Sequence, residues 1–290
     1  MRKNRFTPLF LLLPFLVLMA LVLVAIGNVL VQSLGVIPAF GLERPTLQYY
    51  MDVLTKPAFF QSVWVSVRIA GISALVASVL GTLLCYALVR CRKTKGMPLH
   101  MLRLPILVPH AVAAVFVIQL LSQTGLLARI AYATGWISDY TQFPQLLYTR
   151  GYWGTIIAYL WKEIPFVAYF VLALMAGISD TLGEAAENLG ASPARSFFHI
   201  TLPLSLPAIT NAFLIIFVFA FGGYELPFLL GVTLPKALPV QAYIAYSSPD
   251  LLQRPYAMAM NGIILLLSLG MALLYHVLTQ KLIRRTGGRG

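Results

Sequence analysis

The sequence predicts an all-α, polytopic membrane protein with about six transmembrane helices. Three observations predict it: the composition, a series of long apolar stretches, and an uneven placement of Lys and Arg between them. The 290 residues are 59% hydrophobic and 10% charged, with a mean hydropathy of +0.83. A soluble domain of this length carries about a quarter charged residues. So few charges leave too little polar surface to coat a water-soluble globule, which makes the lipid bilayer the expected solvent for much of this chain. The net charge of +12 would suggest nucleic acid in a soluble protein. Here the basic residues flank apolar runs, as they do at membrane surfaces, and no nucleic-acid partner is expected.

A membrane helix needs about 20 mostly apolar residues. The first candidate, Leu9–Val31, follows a basic start, Met1 to Arg5. That start mimics a signal peptide. The apolar run exceeds the roughly 7–15 residues of such a segment and no small-x-small cleavage site closes it, so it is expected to be a retained span. The second, Ser62–Val89, carries a stripe of small residues, Ala70, Ser73, Ala74, Ala77, Ser78 and Gly81, that allows close helix packing. The third, Leu104–Leu121, is interrupted at its start by Pro105 and Pro109. The fourth is Tyr152–Ala176, the fifth Ala208–Gly231 and the sixth Ala257–Gln280.

Lys and Arg set the expected orientation. Arg2, Lys3 and Arg5 precede the first span; Arg90, Arg92, Lys93, Lys95 and Arg103 follow the second. Arg195 follows the fourth, and Lys281, Arg284, Arg285 and Arg289 follow the sixth. The alternate connections hold fewer: Arg44, Lys56, Arg129, Arg150, Lys236 and Arg254. The positive-inside rule then puts both termini in the cytoplasm. Cys85 and Cys91 are expected to be unpaired thiols, and no Cys/His spacing resembles a metal site.

The connection between the fourth and fifth spans, residues 179–203, is the most informative. Thr181 and Glu184 have the spacing of a capping box that would start a helix. Gly190 suits the left-handed residue that ends one. Ser192 and Pro193 then form a second start, with Ser as N-cap and Pro in the first turn. Leu182, Ala185, Ala186 and Leu189 make an apolar side of the first short helix, and Glu184, Glu187 and Asn188 a polar one. Such a two-sided helix fits a groove on a partner, or is an ordinary loop helix. Local physics leaves both open.

At these residues the chain resembles the permease subunits of binding-protein-dependent ABC importers. That family's loop reads Glu-Ala-Ala, a Gly four residues on, and Ile-x-Leu-Pro after nine more. Glu184, Ala185, Ala186, Gly190, Ile200, Leu202 and Pro203 fall at those spacings. The resemblance covers the chain from about Gln61 onward. It implies the type I importer permease fold: an N-terminal span and external segment over 1–60, and a core permease domain over 61–290. It also implies a bacterial inner-membrane location, two ABC ATPase subunits, a second permease subunit and an extracytoplasmic solute-binding protein as partners. The 179–203 loop would be the coupling helix that docks into the ATPase, with Glu184 meeting a basic residue there. No Gly-x-x-x-x-Gly-Lys-Ser/Thr occurs, so no cofactor is expected on this chain and ATP would be bound by the partner ATPase. No enzymatic activity of its own is expected.

Ionisable groups inside a span default to a functional or pairing role. Here they are Arg68, His110, Lys162, Glu163 and Glu225. One reading pairs Glu225 with Arg68 or Lys162. The other puts Tyr224, Glu225, Trp161, Lys162 and Glu163 along the solute path, with Tyr169 adding to an aromatic, cation-friendly lining. Gly222, Gly223 and Pro227 break the fifth span around Glu225, which membrane helices tolerate beside protein or a water-filled cavity. This run resembles permeases for polyamines, iron, thiamine or phosphonates, and an acidic residue among aromatics suits a polyamine. The alternative is a proton-coupled secondary transporter using His110, Lys162, Glu163 and Glu225 as a relay. No motif of a membrane-embedded enzyme is present.

Overall fold

The computed structural model describes residues 7–287, with side chains from 11 to 277. The basic residues at the two ends, Arg2, Lys3, Arg5 and Lys281 onward, lie outside the described side chains. Among the described residues the regular structure is helical: α1 (Thr7–Ser33), α2 (Gln48–Leu54), α3 (Pro57–Arg90), α4 (Met97–Leu107), α5 (His110–Leu121), α6 (Leu126–Ala133) and α7 (Trp153–Ile178). There follow α8 (Glu184–Asn188), α9 (Pro193–Ser196), α10 (Leu202–Gly222), α11 (Glu225–Leu230), α12 (Leu238–Tyr246) and α13 (Arg254–Gly287). Among the described residues six stretches are long and apolar enough to cross a membrane: Leu11–Ser33, Pro57–Arg90, His110–Ala133, Trp153–Asn188, Pro193–Gly222 and Leu251–Val277.

Two of these differ from the sequence expectation. The third stretch does not run through Leu104–Leu121. Val108 is extended, and the helix restarts at His110 after Pro109. Pro109 has no N–H to continue the ladder and bars the residue before it from helical geometry. The fifth, expected over Ala208–Gly231, starts earlier, at Leu202, and stops at Gly222, with Gly223 extended before α11 begins.

The chain forms two compact units. One contains the chain up to Phe60 together with Gln241–Leu266. In it the Tyr256 hydroxyl donates to Asp52 at 3.2 Å, and the ring of Tyr256 meets that of Tyr49 edge-on at 5.0 Å, tying α2 to the start of α13. Tyr50 donates to the Ser33 hydroxyl at 2.7 Å.

The other unit contains Gln61–Val240 and the chain from Leu267, and holds the core of α3 to α11. Small side chains let its helices approach: Ala70, Ala74, Ala77, Ala113, Ala158, Ala168 and Ala212 are fully buried. The small-residue stripe of α3 faces inward as its spacing predicts. At its end, a Cβ on Gly81 would sit 2.6 Å from Val167 Cβ and 2.8 Å from the Ile164 carbonyl. Backbone contact that close between α3 and α7 permits only glycine. Outward positions such as Leu75, Val112, Phe170 and Ile215 are large and exposed. That is a stable arrangement only where lipid or a partner helix replaces water.

Candidate functional site

Two places in the second unit carry chemistry, at different depths along α7. The first is the 179–203 loop. Trp153–Asn188 is 36 residues of near-continuous helix, about 54 Å at 1.5 Å per residue. The hydrocarbon core is about 30 Å thick, so this stretch is longer than one crossing needs. The helix does not restart at Thr181. It continues from α7 through a wide π-helical turn, Ser179–Gly183, into α8. Thr181 donates back to the Gly177 carbonyl at 2.8 Å instead of capping. The preceding turn already satisfies the N–H groups a capping box would serve, so the expected box is not made.

The rest of the loop follows its turn chemistry. Gly190 ends α8 at φ +91°, with the Ala191 N–H donating to the Ala186 carbonyl at 3.0 Å. Open space surrounds its Cβ direction, so the backbone conformation, not crowding, calls for glycine. Ser192 accepts from the Arg195 N–H at 3.3 Å and Pro193 opens α9. A second wide turn, Phe197–Thr201, contains Ile200 and leads into α10, which starts Leu202-Pro203. The buried Ser196 hydroxyl donates to the Gly183 carbonyl at 3.3 Å, tying the two arms together. Phe197 stacks on Tyr86 of α3 at 4.1 Å.

On α8 the two faces separate. Leu182, Ala185 and Leu189 are exposed, Leu189 by 90%, and Ala186 is half-buried. The carboxylates turn toward the end of α3. Glu187 takes Arg90 Nη1 on both oxygens, at 3.1 and 3.3 Å, and Glu184 takes Arg92 Nη2 on Oε1 at 3.2 Å. Sequence reasoning had only an outside partner for Glu184; these two arginines were read as orientation charges.

The second place is a pair of cavities around the α4–α5 break. Lys162 is buried in α7, and its ammonium donates to the carbonyls of Pro105, at 3.2 Å, and Val108. Those groups lose their helical partners at the break, so Lys162 acts as a C-terminal cap on α4. Glu163 next to it is buried, and no direct ion pair joins the two among the described residues. Both line a cavity of about 190 Å³ with His110 and Phe219. A neighbouring cavity of about 310 Å³ shares His110 and Phe219 and adds Tyr159, Tyr224 and Glu225. His110 and Phe219, rings 5.3 Å apart, are shared by the two cavities, one holding Lys162 and Glu163 and the other Glu225.

The expected pairings of Glu225 with Arg68 or Lys162 are not made. Arg68 donates to the Arg150 carbonyl. The basic group nearest Glu225 is His110, with Nδ1 3.8 Å from Oε2. Both cations are instead taken by backbone carbonyls, Arg68 by that of Arg150 in the connection before α7 and Lys162 by those at the α4–α5 break. Trp161 stacks on Phe116 at 5.2 Å, and Tyr169 binds Arg103 through its hydroxyl at 3.0 Å and its ring face. Neither lines these cavities. Tyr159 and Phe219 do, and sequence reasoning missed them. Helical spacing was the available signal, since Tyr159 lies four residues before Glu163 and Phe219 four before Gly223.

Residues 4–284 match the family described as binding-protein-dependent transport system inner membrane component. The chain belongs to that family. Among its relatives, this inner membrane component is 29% identical over 172 residues to the putrescine transport system permease protein PotI of Escherichia coli K12, covering 59% of this chain. It spans 56% of PotI's length. It is 29% identical to the sn-glycerol-3-phosphate permease protein UgpA of Yersinia pestis, over 74% of this chain and 72% of UgpA. It is 26% identical to a probable sulfate transport system permease protein of Prototheca wickerhamii, over 81% and 90%. The fold matches a bacterial ABC transporter for the acidic polysaccharide alginate, with a TM-score of 0.76, 19% identity and 96% of both chains covered. That transporter is also known in complex with a periplasmic protein carrying an alginate pentasaccharide.

Proposed function

We propose that this chain is the permease subunit of an ATP-driven importer in a bacterial inner membrane, with both termini in the cytoplasm. It pairs with a second permease subunit, identical or paralogous, to form the translocation pathway. Two ABC ATPase subunits bind ATP, one of them gripping this chain's 179–203 loop, and a solute-loaded binding protein docks on the opposite face. ATP drives alternating access because it binds one arrangement of the ATPase pair better than the other.

One observation carries this reading: the geometry of α8. It ends a helical stretch longer than a membrane is thick, is closed by a left-handed Gly190, and exposes Leu182, Ala185 and Leu189. An apolar face on such a helix is stable in water only when something covers it. Ala185, Ala186 and Gly190 let a groove close on it, with Glu184 at the contact. Ile200, Leu202 and Pro203 turn the chain back into α10.

The solute we propose is a small organic cation of the polyamine type. Glu225 supplies a carboxylate on one side of the His110–Phe219 pair and Glu163, beside Lys162, a second on the other, and Tyr159 and Tyr224 supply ring faces. Lys162 lines the path beside Glu163, and Trp161, next to it on α7, packs on Phe116 outside it. The relation to PotI supports this choice.

The test is affinity purification of the tagged chain from its own membrane in mild detergent, with mass spectrometry of what accompanies it. About one ATPase per permease is expected, and loss of that ATPase in Glu184→Lys. A chain that comes out alone and transports on a proton gradient without ATP would overturn the proposal in favour of a secondary transporter.

A further inference from the structure

The cytoplasmic arm of α3 is built around α8 in more detail than a loop needs. α3 ends in a Schellman turn: the Arg92 N–H donates to the Val89 carbonyl and the Lys93 N–H to the Leu88 carbonyl, both at 2.9 Å. The left-handed position of that turn normally holds glycine. Here it holds Arg92, at φ +54°. A non-glycine residue held there is strained, and such outliers cluster at functional positions. What the Arg92 side chain reaches from that position is Glu184 Oε1. Two residues earlier, Arg90 reaches Glu187 through both carboxylate oxygens. Glu184 and Glu187 are three apart on α8, so two charge pairs join the same two elements side by side.

The pairs are not equivalent. The Glu187 side chain is the less exposed, 32% against 55% for Glu184, and Arg90 takes both of its oxygens. Glu184 is engaged by Arg92 through Oε1, with more than half of the side chain open to solvent. A carboxylate has acceptor sites for more than one donor. Glu184 can therefore hold Arg92 and a cation of a partner at once, while Glu187 faces inward.

We infer that Arg90 and Arg92 are positioning residues that yoke α3 to the coupling helix. A displacement of α8 is then carried into α3 as well as into α7 and α10. The inference rests on the coupling-loop reading of α8. It divides the two carboxylates by role: Glu184 bridges partner and α3, and Glu187 with Arg90 is the internal tie. The single ion pairs contribute little to stability at this exposure; their role is to fix the geometry of a joint.

The two roles separate experimentally. The complex is purified with its ATPase in nanodiscs, and ATP hydrolysis is measured with and without the binding protein recovered in its loaded state from the same cells. Glu187→Gln and Arg90→Gln should keep the ATPase bound and basal hydrolysis within twofold of wild type. Stimulation by the binding protein should fall at least fivefold. Arg90→Lys, which keeps the charge on a compact and more strongly hydrated head, should fall between. The exchange Arg90→Glu with Glu187→Arg should restore stimulation, which separates a broken tie from a misfolded variant. Full stimulation in the single variants, or no recovery in the exchange, would overturn the inference while leaving the coupling-loop reading intact. A wild-type complex that retains no ATPase would remove that reading, and this inference with it.

Discussion

The ammonium of Lys162, buried in α7, caps the backbone carbonyl of Val108 at the end of α4. A charged residue at mid-helix thus serves the chain's own broken span, and its neighbour Glu163 is left facing the cavity. Removing the ammonium leaves the Pro105 and Val108 carbonyls without a donor in apolar surroundings. Hydrogen bonds to charged groups contribute about 1.5–3 kcal/mol. Lys162→Met should therefore lower the melting temperature of the detergent-purified chain by roughly 4–8 °C, with Lys162→Arg milder. An unchanged melting curve would mean that water or another donor serves those carbonyls.

Glu225→Gln keeps the shape of the wall below Gly223 and removes its charge. Uptake should drop about tenfold or more, equivalent to about 1.4 kcal/mol, at normal membrane levels of the protein. Glu163→Gln should act in the same direction, because the two carboxylates flank the His110–Phe219 pair. Trp161→Phe, at a ring that packs on Phe116 outside both cavities, should leave uptake within twofold. Normal uptake in both glutamate variants would take the charges off the path.

Gly190→Ala isolates backbone strain, because nothing lies within 4 Å of where the new methyl would point. The cost should be about 1–2 kcal/mol for a residue held left-handed. It should appear as fewer ATPase copies retained per permease after washing. Asparagine, which tolerates this conformation, should retain more than alanine, and valine less. Equal retention across the three would mean that the turn changes shape when the partner binds.

Gly81 is the opposite case, a glycine required by crowding at negative φ. Gly81→Val places methyls against Val167 and the Ile164 carbonyl of α7. Overpacking costs typically about 1–3 kcal/mol, and the variant should reach the membrane at reduced level with a lower melting temperature. Gly71, three turns earlier with open space around it, should accept the same change.

Much of this molecule is local enough to be legible in the sequence. The six apolar stretches, the inward stripe of α3, and the turn chemistry of Gly190 and Ser192-Pro193 each depend on residues within a few positions. What stayed hidden depends on distant partners. Arg90 and Glu187 are 97 residues apart, and nothing in either neighbourhood announces the other. The same holds for Lys162, whose acceptors are carbonyls that exist only because α4 ends at Leu107. Thr181 shows how a local rule fails: its spacing to Glu184 was right, but the incoming helix had already satisfied the groups it would cap. Glu225 was sought a partner among the strongest cations, and both were already bound to backbone.

The near-complete exposure of Leu189 has a consequence for the life of the protein in the cell. A newly made copy that finds no partner presents Leu182 and Leu189 to water. Surfaces of that kind are what chaperones hold and proteases sample. If a partner covers α8 as proposed, the same apolar face would mark unassembled copies for removal, keeping subunit numbers matched without a separate signal.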